Sequence, residues 1–229
     1  SGDTGSGDSG SGDSGSGDSG SGDTGSGDSG SGDSGSGDTD TGTSGLFFSE
    51  YAEGSSNNKY LEIYNPTSEA VSLDGYALAS VSNAPTTAGE HEFWRDFVSG
   101  ASIASGEVYV IAHPSADASI IALADETHSF LSNGDDGYAL VEGTETSYTI
   151  VDFLGDFQGD PGSAWDVAGV TGATKDKTLV RKDTITSGNS DWDASRGTTT
   201  EDSEWIVYDQ NTWTYLGAHP GSVGSGSGD

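Results

Sequence analysis

Not one apolar side chain precedes Leu46. Residues 1–45 hold only serine, threonine, glycine and aspartate, arranged as Ser-Gly-Asp-(Ser/Thr)-Gly eight times from Ser1 to Asp40, the last copy ending in Asp40 instead of glycine. A segment with nothing to bury cannot offset the entropy of ordering its backbone, and frequent glycine makes that entropy large. Folding therefore has to begin at Leu46. There an apolar run (Leu46, Phe47, Phe48) gives way to Gly54-Ser55-Ser56-Asn57-Asn58 and then to a second run, Tyr60, Leu61, Ile63 and Tyr64, closed by Asn65-Pro66. Two short runs rich in aromatic and branched residues around a turn-forming cluster read as consecutive strands. Proline cannot donate to a ladder, so Pro66 ends the second.

The rest of the chain continues in the same way. Val71–Ser80 alternates and reads as a strand with a bulge at Asp74-Gly75, followed by a polar loop over 82–92. Phe93–Val98 is a short strand. Glu107–His113 is apolar on both faces, as a central strand is. Ser115–Asp125 carries Ile120, Ile121 and Leu123 without alternation and is expected to form one short helix. Tyr138–Glu142 and Tyr148–Leu154 flank Gly143–Thr146 as a hairpin, and Thr178–Arg181 and Trp205–Tyr208 supply the last strands. Many short strands with one helix predict an all-β sandwich over 46–220, preceded by the low-complexity arm 1–45 and followed by a Gly/Ser tail, 221–229.

Charge excludes several functions. The net charge is −31, and nine of the aspartates lie in the arm with no basic residue, leaving −22 on the remainder. Phosphate backbones and anionic headgroups are bound through Lys/Arg counterion release, so direct nucleic-acid or anionic-membrane binding is not expected. The sequence has no cysteine, hence no disulfide and no thiolate metal site. It contains no apolar run long enough for a transmembrane helix. It begins at Ser1, inside a repeat, as a chain relieved of a leader or a fragment would. Acidity and a Gly/Ser/Asp arm together suggest an extracellular or bacterial cell-surface protein.

Several stretches carry a family resemblance. Phe48-Ser49-Glu50-Tyr51, Glu53-Gly54-Ser55-Ser56-Asn57-Asn58-Lys59 and Leu61-Glu62-Ile63-Tyr64-Asn65-Pro66-Thr67 resemble the opening of the bacterial lamin-tail domain. Val71–Leu78, Ile103–Ala112, Leu131–Leu140 and Lys177–Lys182 resemble its later strands, in the expected order. The resemblance spans roughly residues 46 to 220. It implies an immunoglobulin-like sandwich and no single activity, since the family is an accessory and interaction module found alone or beside secreted enzymes such as nucleases. Glu50, Glu53, Asn57, Asn58 and Glu62 match the opening motif, where their expected role is to fix the first turn.

Candidate chemistry is sparse. The histidines at 91, 113, 128 and 219 have no partner at metal spacing, and His113, between a strand and Pro114, reads as structural. Gly-Asp-Ser-Gly, as at Gly7–Gly10, is a by-product of the repeat and not a protease motif, because no core surrounds it to build an oxyanion hole. No catalytic residue is assigned and no enzyme is expected. Calcium is the cofactor best suited to the acidic turns. The candidate ligands are Asp135 and Asp136 in Asn133–Gly137, Asp156 and Asp160 around the 155–162 loop, and Asp38 with Asp40 before the domain. Turn formation alone is the alternative role for all six. Trp165 and Trp192 lie in polar loops and are candidates for a ligand-binding platform, with core or edge packing as the alternative.

The arm itself has no preferred face. A period of five places successive aspartates on opposite faces of a strand, and turns each by about 240° in a polyproline helix. One arm is therefore a soluble spacer, a plausible target for O-glycosylation. Carboxylates and glycines on every side also suit packing against several neighbours, with calcium bridging the aspartates. The leading expectation is a non-enzymatic protein that self-associates into a filament or surface matrix. The alternatives are a surface module binding a polysaccharide or another protein, and an accessory domain of a secreted nuclease or hydrolase.

Overall fold

The computed structural model describes residues 45–131 and 133–220. Over these the chain is an all-β sandwich. Strands β1 (Phe47–Glu53), β2 (Lys59–Tyr64), β3 (Val71–Ser72), β4 (Tyr76–Val81), β5 (Phe93–Asp96), β6 (Ser102–Ile103) and β7 (Val108–Ala112) come first. Helix α1 (Ala118–Ile121) follows, then β8 (Glu126–Thr127), β9 (Gly137–Thr144), β10 (Ser147–Leu154) and β11 (Lys177–Arg181). Helix α2 (Trp192–Arg196) and β12 (Trp205–Asp209) complete the series. One sheet has six strands in the order β12-β11-β1-β2-β7-β8, the other four in the order β10-β9-β4-β5, and β3 pairs with β6 in a small two-stranded sheet.

The expected first hairpin is the centre of the larger sheet. Tyr51 lies opposite Leu61, and Leu61 opposite Ile111, so three neighbouring strands send apolar side chains to one level of the core. The turn is closed by a hydrogen bond from the Gly54 amide to the Asn58 carbonyl (2.8 Å). A Cβ at Gly54 would stand 2.6 Å from that same carbonyl oxygen, so the position admits only glycine. Leu61, Ile63, Tyr109, Ile111 and Leu179 from this sheet pack against Leu78, Ala139, Leu140 and Phe153 from the other.

Every residue of β1 is buried, because its sheet is covered on both faces. The outer face carries Ala52, Tyr60, Val110 and Ala112, which are roofed by Ile120 of α1 and by Leu216 and Trp213 of the C-terminal segment. Between the sheets a buried ion pair crosses the sandwich. Arg181 on β11 donates to both carboxylate oxygens of Asp152 on β10 (3.1 and 3.2 Å), and neither side chain is exposed.

Three expectations need correction. The Val71–Ser80 strand is not one strand with a bulge but two belonging to different sheets. The Tyr76 amide bonds the Leu73 carbonyl (2.9 Å) and Gly75 has φ +93°, so Asp74-Gly75 is a tight turn. The helix expected over Ser115–Asp125 spans only Ala118–Ile121, started by the Asp117 carboxylate accepting from the Ser119 amide (2.9 Å). A second helix, α2, was not foreseen; Asp191 caps it by accepting from the Ala194 amide (3.1 Å).

The core assignment has a direct test in denaturant unfolding. Leu61→Ala should cost about 2–5 kcal/mol, and Val98→Ala, at an exposed position, about 0.5 kcal/mol or less. Arg181→Met should cost about 3–5 kcal/mol, since it strands the Asp152 carboxylate in the core. Near-equal costs at 61 and 98 would mean that the strand register is wrong.

Candidate functional site

The acidic turns and one of the candidate tryptophans meet at one end of the sandwich. β9 starts and β10 ends there, so the Gly134–Gly137 turn and Gly155-Asp156 are adjacent. A Cβ on Gly155 would lie 2.9 Å from the Gly137 Cα and 3.1 Å from the Asp136 carbonyl oxygen. Trp165 reaches the same turn, its indole Nε1 donating to the Asp136 carbonyl (3.3 Å). Thr174 ties the corner together, its hydroxyl accepting from the Trp165 amide (2.8 Å) and donating to the Gly134 carbonyl. Asp135, Asp136, Asp156 and Trp165 are thus drawn into one neighbourhood by backbone contacts that sequence spacing does not reveal.

Three of the candidate carboxylates are nevertheless used locally, while one Asp135 oxygen is buried without a hydrogen bond. Asp136 accepts from the Asn83 amide (3.1 Å), Asp156 from the Gln158 amide (2.8 Å), and Asp160 from the Gly162 amide (2.7 Å). These are the turn-forming roles open to aspartate. Burial pushes the Asp136 and Asp156 carboxyls above the usual carboxylate range. Among the described residues no three of histidine, aspartate and glutamate converge to hold a metal ion. Asp38 and Asp40 lie outside the described residues.

Trp192 is not a surface residue. It is 2% exposed, sits on α2 and meets Trp165 edge to face, with ring centroids 6.2 Å apart. The expected Trp165–Trp192 platform is therefore corrected: Trp192 packs into the core, and half-buried Trp165 lies against it. A short helix presenting one aromatic inward was hidden in a run of Asp, Ser and Gly.

The opening-motif acids do more than fix the first turn. Glu53 pairs with Lys59 (3.3 Å) across that turn, while the Lys59 ammonium also donates to the Asn133 side chain (3.2 Å). The Asn58 side chain accepts from the Asp117 amide (2.7 Å), anchoring the start of α1. Glu50 and Glu62 face each other across β1 and β2, both 1% exposed. Glu62 accepts from the Ser49 hydroxyl (2.7 Å) and from the Gly217 amide (2.6 Å), latching the C-terminal segment to the sheet. Glu50 accepts from the Tyr60 hydroxyl, and its other oxygen is buried without a hydrogen bond. Desolvation pushes Glu50 up to about 8 and Glu62 to about 7.

The histidines are dispersed. The His113 ring accepts from the Ser115 amide (3.1 Å), a local structural role. His219 is buried between Phe47 and Tyr64, and burial lowers it to about 4. The polar groups of the domain thus hold strands, turns and the C-terminal segment in place.

The lamin tail domain family model matches residues 39–158, just over half of the chain. The chain belongs to the lamin tail domain family. This is an immunoglobulin-like structural domain and not an enzyme family. A search of curated proteins returns no match. The matched region of this lamin tail domain stops before β11 and β12, yet β11 pairs directly with β1, so the larger sheet is completed by sequence beyond the match. No helix among the described residues is long and apolar enough to cross a membrane.

A pH dependence follows from the buried acids. Glu50 and Glu62 bind protons more tightly folded than unfolded, so their contribution to stability is lost as pH rises from about 4.5 towards about 8. His219 has the opposite sign, its contribution being lost as pH falls from 6.5 towards about 4. Above pH 6.5 His219 adds little, and the other acids with raised proton affinity, Glu53, Asp136, Asp152 and Asp156, act in the same direction as the two glutamates. The urea midpoint should therefore drop between pH 6.5 and 8, and Glu50→Gln should shrink that drop. Equal midpoints in the wild type would contradict the assignment.

Proposed function

We propose that this lamin tail domain protein is a non-enzymatic structural and interaction protein of the bacterial exterior, assembling with itself into a filament or surface matrix. The observation that carries the reading is the covalent union of a structural sandwich with an arm of nine aspartates and no apolar residue. The sandwich already buries its own apolar stripes on both faces of the larger sheet, and the arm has no apolar side chain to add to a core. What the arm can supply is backbone and carboxylate for contacts with other copies. A contact between two different surfaces propagates into an open fibre unless its rotation closes a ring.

Calcium is the cation proposed to screen the arm aspartates, and the Asp135–Asp136 turn, near Asp156, is the place in the sandwich where it would be sought. Hard divalent cations take carboxylate and carbonyl oxygens, and since no three acidic side chains converge among the described residues, turn carbonyls would have to complete such a site. The alternative reading, a polysaccharide platform, is weakened by the burial of Trp192.

Light scattering on the full chain and on a chain lacking residues 1–45 tests the assembly. The full chain should form large species in millimolar calcium and disperse in chelator, and the shortened one should stay monomeric. A full chain that is monomeric in both buffers would overturn the proposal. The acidic corner is checked separately by melting the shortened chain: calcium at a hundredfold over its dissociation constant should add about 2.7 kcal/mol. An unchanged melting curve removes calcium from the sandwich while leaving the arm reading intact.

A further inference from the structure

One end of the smaller sheet is β5, and among the described residues no further strand pairs with it. β5 is the last strand in the order β10-β9-β4-β5, and its register is shared with β4 alone. Among the described residues no backbone hydrogen bond reaches Phe93–Asp96 from any other segment. Unpaired strand edges are templates for another chain. Here two hollows adjoin the edge strand. A cavity of about 490 Å³ is lined by Leu78, Ser80, Phe93, Phe130, Leu131 and Tyr138. A second hollow of about 430 Å³ adjoins the start of the strand, between Thr86 and Phe93, with Glu90, His91 and Glu92 on its wall. Phe93 belongs to both walls and is 58% exposed, and Phe130, at the rim of the larger cavity, is 82% exposed.

The two hollows differ in character. The larger is mostly apolar, with Asp136 and His128 also in its wall, and its one arginine, Arg95, is already paired with Glu126 and hydrogen-bonded to the Thr127 carbonyl (3.2 Å). Phe93 and Arg95 share the cavity face with Leu78 and Ser80, so by alternation Glu92 and Asp96, both exposed, turn to the opposite face. An extended chain sends successive side chains to opposite faces. A strand added to β5 would place every second residue against the apolar cavity and the residues between them against the carboxylates.

We propose that the open edge of β5 binds an extended segment of a partner protein in which apolar residues alternate with basic ones. Main-chain pairing supplies the affinity, the apolar cavity and the acidic flank supply the selectivity, and the mode is strand addition. A second copy is a poor occupant. The chain has 7 lysines and arginines against 38 acidic residues. Its own mixed run, Leu179-Val180-Arg181, is occupied within β11. The inference therefore stands apart from the self-assembly proposed above.

The test uses the full chain and a short peptide alternating lysine and valine. Two controls are a peptide of the same composition with its lysines and valines in separate blocks, and a glutamate–valine alternation. Binding is read by fluorescence anisotropy, and pairing by hydrogen–deuterium exchange. The alternating basic peptide should bind at least about tenfold more tightly than either control and should slow exchange of the Phe93–Asp96 amides. Phe93→Ser and Phe130→Ala, both at exposed positions, should each weaken it severalfold while leaving the melting curve unchanged. Equal affinity for the block peptide would show that charge alone attracts it, and binding without protection of the β5 amides would exclude strand addition. Either result overturns the proposal, as does failure of the alternating peptide to bind.

Discussion

The buried pair between Asp152 and Arg181 is the constraint on which the sandwich depends. Asp152 belongs to the four-stranded sheet and Arg181 to the six-stranded one, so their contact fixes how the two layers face each other. Asp152 also accepts from the amides of Phe48 and Asn189 (both 2.8 Å), tying β1 and the segment before α2 to the same carboxylate. The guanidinium lies over the rings of Trp205 (4.5 Å) and Phe47 (5.6 Å) and pairs with Glu204 (2.6 Å). Desolvating two charges is costly, and a well-packed apolar pair can be as stable. What apolar side chains lack is direction. A carboxylate with four fixed donors accepts one relative placement of the sheets and rejects those displaced along the strands.

A second set of polar contacts decides what lies on the outside of the larger sheet. Without the C-terminal segment, Tyr60, Val110 and Ala112 would face water beside the carboxylates of Glu50 and Glu62. The Gly217 amide on Glu62, the packing of Leu216, and His219 between Phe47 and Tyr64 hold that segment down. Gly217 adopts φ +93°, which lets the backbone turn its amide into the sheet. The acids that read in sequence as turn residues are here the hooks for a distant part of the chain. Their raised proton affinity is the cost of using carboxylates where water does not reach.

The fold was largely legible because it rests on local patterns. The Leu46–Pro66 hairpin, the β9–β10 hairpin and the apolar strand at Val108–Ala112 announce themselves through residue type and turn chemistry. The Val71–Ser80 stretch misled because a bulge and a change of sheet leave the same trace, Asp-Gly within an alternating run. Helix α2 misled for another reason: five residues give too little periodicity to outweigh the flanking Gly, Ser and Asp. The acidic corner was only half legible. Asp135, Asp136 and Asp156 could be picked out one by one, but their neighbourhood is made by β9 and β10 running antiparallel. The hollows beside β5 were not legible at all, since they depend on the order of strands within the smaller sheet.

That order also explains how so open an edge is tolerated. The larger sheet ends in β8, a strand of two residues, and in β12, where Asp209 on the edge is paired with Lys177 (3.0 Å). Shortness and charge both blunt an edge. β5 is longer than β8 and, unlike it, carries an exposed phenylalanine. Its protection is electrostatic. Two β5 edges brought together antiparallel would bring Glu90, Glu92 and Asp96 of one copy against the same residues of the other, and like charges across a strand pair are destabilising. A chain of net charge −31 therefore resists edge pairing with itself while leaving the edge open to a segment of opposite charge. The same repulsion acts on the arm, where aspartates recur with no compensating base, so close packing of arms requires a cation. One surplus of negative charge thereby separates two kinds of contact: pairing at β5, which selects an unlike partner, and packing of arms, which becomes available only when the carboxylates are screened.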